Sequence, residues 1–368
     1  MDAPRSPEDV VERVVRSMLG RAVAGRIPLS GSIAMTHRCH LRCVHCYLGN
    51  ERYGLPEADE LDTAFWLSVV DQAAEAGCLN FLITGGEPLL RPDFAEVYTR
   101  AKRRGLLVTV FTNGTLVDDR VLGLFEQLSP HMVDVTLYGA SPEVYDRVTG
   151  VPGAHRRCFR GVDALLARGI RVGLKAMILR ENQHEIAAMR RMARDRGVVF
   201  RLDPALFPCR DGDPGPLGHR IPPEAAVAIE MEDEAYRKKA ASSFEKMRRL
   251  PPESRLFACM AGLTGFHVDP QGRLSPCLMV ATHGFDLRQG SFRQGWEEVI
   301  PRFLEQPIPP GYHCHECEKR SLCGLCPAQF EMETGSLHQR SEYSCRLGQA
   351  RHRAACGIQG LRDAGIDE

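Results

Sequence analysis

Ten of the 14 cysteines of this 368-residue chain stand in two groups, and no other feature of the sequence narrows its fold as far. Cys39, Cys43 and Cys46 lie near the start; Cys259, Cys277, Cys314, Cys317, Cys323, Cys326 and Cys345 lie near the end. Thiols spaced this closely in a reducing compartment are metal ligands before they are a disulfide framework. The compartment follows from what the chain lacks: Met1-Asp2-Ala3-Pro4-Arg5 opens no apolar signal-peptide segment, and no run of about 18 apolar residues occurs. A cytoplasmic protein is expected. Cys78, Cys158, Cys209 and Cys356 read as buried or incidental thiols. Lys and Arg (47) balance Asp and Glu (47), which disfavours nucleic acid and membrane surfaces as partners.

Between the cysteine groups, short β-branched runs alternate with segments of helical period, the pattern of repeated βα units on a parallel sheet. Strands are expected at Ser32–Met35, Asn80–Thr84, Leu107–Phe111, Met132–Tyr138, Val172–Ile178 and Val198–Leu202. Helices are expected at Leu61–Ala76, Asp93–Arg104, Val117–Leu128, Arg157–Arg168 and Asn182–Arg196. Six such units can curve into an open partial barrel over residues 30–215, preceded by a helical extension (1–29). The stretch Cys209–Pro223 reads as a Pro/Gly/Asp-rich loop closing this domain. A helical linker (216–256) follows, with a polar helix from Pro223 to about Arg249. From Cys259 regular periodicity fades, as in a region held by metal rather than by a core. The cysteine-rich domain spans 257–356, with 357–368 as a tail. Phe266–Leu274 alternates about a Pro/Gly turn and predicts a hairpin delivering Cys277.

In parallel α/β folds the loops after the strands' carboxyl ends build the active site. Cys39-x3-Cys43-x2-Cys46 is such a loop. Three thiolates can hold three irons of a [4Fe–4S] cube and leave the fourth iron open, whereas tetrahedral zinc needs a fourth ligand, for which His37, His40 and His45 are candidates. With Tyr47 directly after the last cysteine, the motif resembles the radical S-adenosylmethionine (SAM) superfamily. That resemblance implies a partial (β/α)6 barrel, a SAM-binding cluster on Cys39, Cys43 and Cys46, and SAM contacts from Tyr47. Thr84-Gly85-Gly86-Glu87-Pro88 is similar to the family's segment that holds the methionine amino group, with Gly85 and Gly86 allowing close approach and Glu87 accepting from an ammonium. Asn113 and Thr136 match positions where relatives contact SAM, although Asn113-Gly114 is also an ordinary turn. Tyr138 stands where many relatives have Asp. Lys175, on the fifth strand, could line the barrel, although a lone lysine is more often a solvated rim residue.

The C-terminal cysteines resemble the SPASM extension of the same superfamily, with zinc knuckles as the alternative. The resemblance implies two auxiliary clusters, one on Cys259, Cys277 and Cys326 and one on Cys314, Cys317, Cys323 and Cys345. The chain departs from the pattern in having two residues between Cys323 and Cys326. Three [4Fe–4S] clusters and SAM are therefore expected. An external electron donor of flavodoxin or ferredoxin type would reduce the first cluster, giving a 5′-deoxyadenosyl radical that abstracts hydrogen. Tyr138–Gly150 resembles the peptide-maturase branch, which implies a peptide substrate. A small molecule such as an aminoglycoside intermediate or a tetrapyrrole, and a non-catalytic metal-stabilised binding protein, are the alternatives. Fewer than 40 residues precede the first cysteine group, too few for the leader-binding domain that some relatives fuse there, so a leader-bearing peptide is expected to be recognised by a separate small protein or by the barrel surface itself. The first auxiliary set has only three thiols. An open iron there would hold a substrate thiolate for thioether formation; a carbon–carbon bond and epimerisation remain open.

Overall fold

The computed structural model describes residues 7–53, 60–238, 240, 242, 254–280 and 282–363. Six parallel strands form the first part of one nine-stranded sheet: β1 Ser30–Ala34, β2 Asn80–Thr84, β3 Leu107–Thr112, β4 Met132–Thr136, β5 Val172–Met177 and β6 Val199–Asp203. They lie side by side in chain order. The helices α2 Thr63–Glu75, α3 Phe94–Arg103, α4 Asp119–Gln127, α5 Pro142–Thr149, α6 Ala154–Ala167 and α7 Ile186–Asp195 cross over between them, following α1 Pro7–Ala24. The architecture is the partial α/β barrel read from the periodicity. Asp62, Asp118 and Ser141 cap α2, α4 and α5 by accepting from the backbone N–H groups of Phe65, Val121 and Val144, satisfying donors that a helix start otherwise leaves unpaired.

Alternation along the strands separates the two faces. Phe81, Ile83, Val108, Val110, Val133, Val135 and Leu174 are fully buried and belong to the same core as Trp66, Tyr98 and Leu165 of the helices. This outer face supplies the main hydrophobic driving force. Residues in the other register, among them Thr84, Phe111, Asp134, Thr136, Lys175 and Arg201, line the concave face of the barrel.

The cysteine-rich half continues the sheet. β7 Gly265–Val268 pairs in parallel with β1, and β8 Arg273–Ser275 and β9 Phe285–Asp286 follow antiparallel. The hairpin before Cys277 forms as the alternation predicts. Gly31 makes the joint possible: a β-carbon there would stand 2.1 Å from Cζ of Phe266, whose ring fills the space against Phe292 and Trp296.

Several boundaries differ from the sequence reading. α5 was not expected, because its eight residues make little more than two turns, too few for the i, i+4 spacing of Val144 and Val148 to stand out. The polar helix from Pro223 breaks: α8 is Pro223–Met231, and Asp233 opens a new turn by accepting from Tyr236 N. Most of its expected continuation to Arg249 lies outside the described residues. Periodicity does not fade throughout the C-terminal half, since helical segments run from Phe292 to Leu304, from Pro327 to Thr334 and from Glu342 to Asp363. The last of these takes in most of the expected tail. No described helix is long and apolar enough to cross a membrane.

Candidate functional site

The loop after β1 carries Cys39, Cys43 and Cys46 and is fixed from several sides. Arg42 N and Val44 N donate to the carbonyls of Thr149 and Val148 at 2.7 and 3.0 Å, docking the loop on the end of α5. Gly86 N donates to Thr36 O (2.7 Å) and Glu87 N to Arg38 O (2.9 Å). A β-carbon on Gly85 would lie 2.4 Å from Thr36 O, and one on Gly86 2.4 Å from both His37 O and Arg38 O. The two glycines thus allow this loop to approach closely the Thr36–Arg38 stretch that leads into the cysteines. On the loop's flank Glu60 bonds Thr36 and pairs with Arg38 at 2.9 Å and Arg91 at 3.3 Å.

Burial pushes the Cys39 thiol up to about 12, with the neighbouring charges of Glu87 and Cys46 adding to it. The Cys39 thiol stays protonated in the bare protein, and a metal that binds thiolates would supply the missing positive charge. Cys43 is buried and Cys39 and Cys46 are half-buried on the same loop, and three thiols so placed fit the donor set of a cluster with one open iron. The histidines weighed as a fourth ligand for zinc have other roles. His37 Nδ1 lies 3.1 Å from Glu51 and His40 Nε2 is 2.6 Å from the Thr115 hydroxyl. His45 packs against Tyr138 and is held neutral by burial, which lowers its pKa to about 4. Among the described residues, no three His, Cys, Asp or Glu side chains converge on a single-ion site.

Glu87 is fully buried, and its carboxylate accepts from Leu89 N (3.2 Å), Thr112 Oγ1 (2.7 Å) and Asn113 N (2.8 Å). Burial raises its pKa to about 7 against the pull of these donors. It therefore pins the Thr112–Asn113 turn. Asn113 in turn holds Thr115 and aims Nδ2 at Cys39 Sγ, 4.0 Å away. Pro88 is buried as the first residue of the short 3-10 turn Pro88–Leu90. Tyr47 is half-buried near Cys46, Arg210 and Glu51. Tyr138 is half-buried too, its hydroxyl kept protonated by desolvation and by the adjacent Cys43, Cys39 and Cys46.

Lys175 is not a rim residue. It shares the concave face with Thr136 and Arg201, its Nζ 3.1 Å from the centroid of the Phe111 ring. Burial lowers its pKa to about 7, while Asp134 opposes the shift. Asp134 itself reaches across β5 to an ion pair with Arg201, over Gly173, where a β-carbon would clash with the carboxylate at 2.2 Å. Asp134 in MVDVT and Arg201 in VFRLD break otherwise apolar strands at inward positions, a signal the sequence carried without its being used.

In the C-terminal half the seven cysteines fall into two neighbourhoods. Burial raises Cys277 to about 11, with Cys326 and Cys259 adding their charge, and Cys326 responds likewise to Cys259. Burial raises Cys323 to about 12, with Cys317, Cys314 and Cys345 adding theirs, and Cys314 responds to Cys317 and Cys345. Tyr312 is buried near members of both sets, its hydroxyl held protonated by burial and by Cys314, Cys323 and Cys326. Gly348 lets the last helix lie against Cys323, where a β-carbon would come within 2.9 Å of its backbone N. Cys356 is exposed beside His352 on that helix.

A profile described as the radical SAM superfamily matches residues 33–193. PqqA peptide cyclase of Xanthomonas campestris pv. campestris (strain B100) is 32% identical over 327 residues, 82% of each chain. The chain belongs to the radical SAM superfamily. AdoMet-dependent heme synthase of Methanosarcina barkeri is 27% identical over 84% of this chain and 94% of that protein. SuiB of Streptococcus suis, in its crystal structure with the precursor peptide SuiA, shares the fold with a TM-score of 0.70 at 14% identity, over 94% of this chain and 82% of that one. Membership in the superfamily implies a [4Fe–4S] cluster and SAM as cofactors of this enzyme.

Proposed function

We propose that this chain is a radical SAM peptide maturase with a SAM-binding cluster on Cys39, Cys43 and Cys46 and two auxiliary clusters, on Cys259, Cys277 and Cys326 and on Cys314, Cys317, Cys323 and Cys345. In this reading residues 30–215 form the catalytic barrel and 257–356 the auxiliary domain. The observation that carries it is the sorting of ten cysteines into neighbourhoods of three, three and four on a fold joined end to end, together with 32% identity to a peptide cyclase. When bound, the cluster and SAM supply hydrogen-atom abstraction from an unactivated carbon, driven by one electron from an external flavodoxin- or ferredoxin-type donor.

The chain's own groups position and enclose that chemistry. Gly85 and Gly86 let the loop after β2 press against the cysteine loop, and Glu87 holds Asn113 toward Cys39. Tyr47, Pro88 and Thr136 complete the SAM side of the cavity. Lys175, Arg201 and Asp134 give the barrel wall a charged stripe for orienting a substrate, and Tyr138 excludes water from the thiols by packing between His45 and Tyr145. A leader-recognition protein is the partner this reading calls for if the peptide carries a leader.

Replacing Cys39, Cys43 and Cys46 together by Ala should abolish 5′-deoxyadenosine formation while iron and sulfide remain on the C-terminal half. Undiminished 5′-deoxyadenosine would overturn the reading. The 27% identity to a heme synthase across nearly its whole length favours a second substrate class, an iron porphyrin. Turnover of a precursor peptide, with loss of two hydrogens, and turnover of an iron porphyrin are measured side by side. For thioether formation, a Cys→Ser series of the peptide is decisive, since an unchanged mass loss without peptide sulfur excludes that bond.

A further inference from the structure

The segment that follows β6 was read as a closing loop, but one of its side chains spans both halves of the molecule. Arg210 is 8% exposed. Its backbone N donates to Tyr47 O at 2.8 Å, and its Nη1 donates to Leu278 O at 3.2 Å. Tyr47 directly follows Cys46 and Leu278 directly follows Cys277. Its Nε lies 3.3 Å from Glu51 Oε2 on the cysteine loop, and its Nη2 lies 3.7 Å from Asp269 Oδ2 in the β7–β8 turn. Both acids are further built in: Glu51 faces His37 at 3.1 Å, and Asp269 accepts from the backbone N–H groups of Gln271 and Arg273 at 3.0 and 2.9 Å. Cys209, the preceding residue, donates from Sγ to Cys46 O at 3.6 Å.

We propose that Arg210 is a positioning residue that locks the Cys46 loop to the Cys277 loop, so that the two cysteine sites move as one frame. The planar guanidinium is suited to this, because its fixed fork reaches a carbonyl and two carboxylates in different directions, which a single ammonium cannot. Burial makes the tie strong, since a charged group removed from water must keep its partners. The halves have a second, independent joint in the β1–β7 ladder and the Ser32–His267 contact (2.8 Å). Loss of Arg210 therefore frees the two loops without undocking the domains. The consequence for catalysis rests on the reading of both sites as cluster sites; the tie itself does not.

The test uses the anaerobically reconstituted full chain and its Arg210→Met and Arg210→Lys variants, followed by hydrogen exchange. Both substitutions should speed exchange about tenfold in the 47–53 loop and around Leu278 together, while β1 and β7 stay protected. A rise confined to residues 209–213, or to one of the two loops, would overturn the proposal. Glu51→Gln and Asp269→Asn supply a second reading: if Arg210 couples the loops, their effects on exchange are strongly non-additive, and additive effects refute the coupling. Iron and sulfide counts on the same samples separate the outcomes. Coupled exchange in protein lacking C-terminal iron would leave the tie standing and remove the auxiliary-cluster reading.

Discussion

A single methyl group on Gly86 would meet two backbone carbonyl oxygens at 2.4 Å, and backbone, unlike a flexible side chain, cannot swing aside. Gly86→Ala should therefore displace the cysteine loop. We expect iron bound by the N-terminal site to fall by more than half while the C-terminal sites keep theirs, measured by iron content in a variant lacking the C-terminal cysteines and in one retaining them. Lys175 carries a different kind of strain. Its pKa of about 7 lies below the ordinary lysine value of 10.5 because burial disfavours the ammonium. Between those two values the unfolded chain binds more protons than the folded one, so stability rises with pH across that window, on the order of 1 kcal/mol per pH unit, and the penalty is complete below about pH 7. Lys175→Met should accordingly stabilise the protein at pH 6 and lose that advantage toward pH 10, by anaerobic urea unfolding at both values. Equal effects at the two pH values would show the ammonium to be well solvated.

At the scale of elements, Gly31 is the counterpart of Gly86. Placing a β-carbon in the space of the Phe266 ring forces either the ring or β7 away from β1, and overpacking of a tight core costs roughly 1–3 kcal/mol. Gly31→Ala should leave β2–β6 protected from hydrogen exchange and open β7 and β8. The strands were legible because parallel strands with one apolar face repeat Val, Ile and Leu in short runs, as Asn80–Thr84 shows. The hairpin was legible from Pro270 and Gly272, a turn Asp269 closes by accepting from Gln271 N and Arg273 N. The docking of β7 beside β1 was not, because nothing in GFHV distinguishes one parallel neighbour from another. The cysteine groups were legible from spacing, while the roles of Arg210 and Glu87 were hidden. A charged side chain's partners come from distant segments, and those partners depend on the tertiary fold rather than on local pattern.

Taken as one molecule, the chain has a sheet that crosses the boundary between its two cysteine-bearing halves. A fragment ending before residue 257 would present β1 as an unpaired edge with Ile33 and the vacant space over Gly31, a template for pairing with other chains. Such a fragment should self-associate more strongly than the full chain, as judged by light scattering at equal concentration; a well-behaved monomer would mean that the barrel closes its own edge.

The ladder from Ser30–Gly265 to Ile33–Val268 also sets a clock. At roughly 5–20 residues per second of synthesis, β7 leaves the ribosome on the order of ten to fifty seconds after β1. For that interval the nascent barrel carries an incomplete border and thiols without their final neighbours. Iron loading of the N-terminal loop can begin before the C-terminal half exists, whereas the lock between them can close only after translation has passed Leu278. On the proposed reading, the N-terminal cysteine loop is thus free to load before the C-terminal cysteines have left the ribosome.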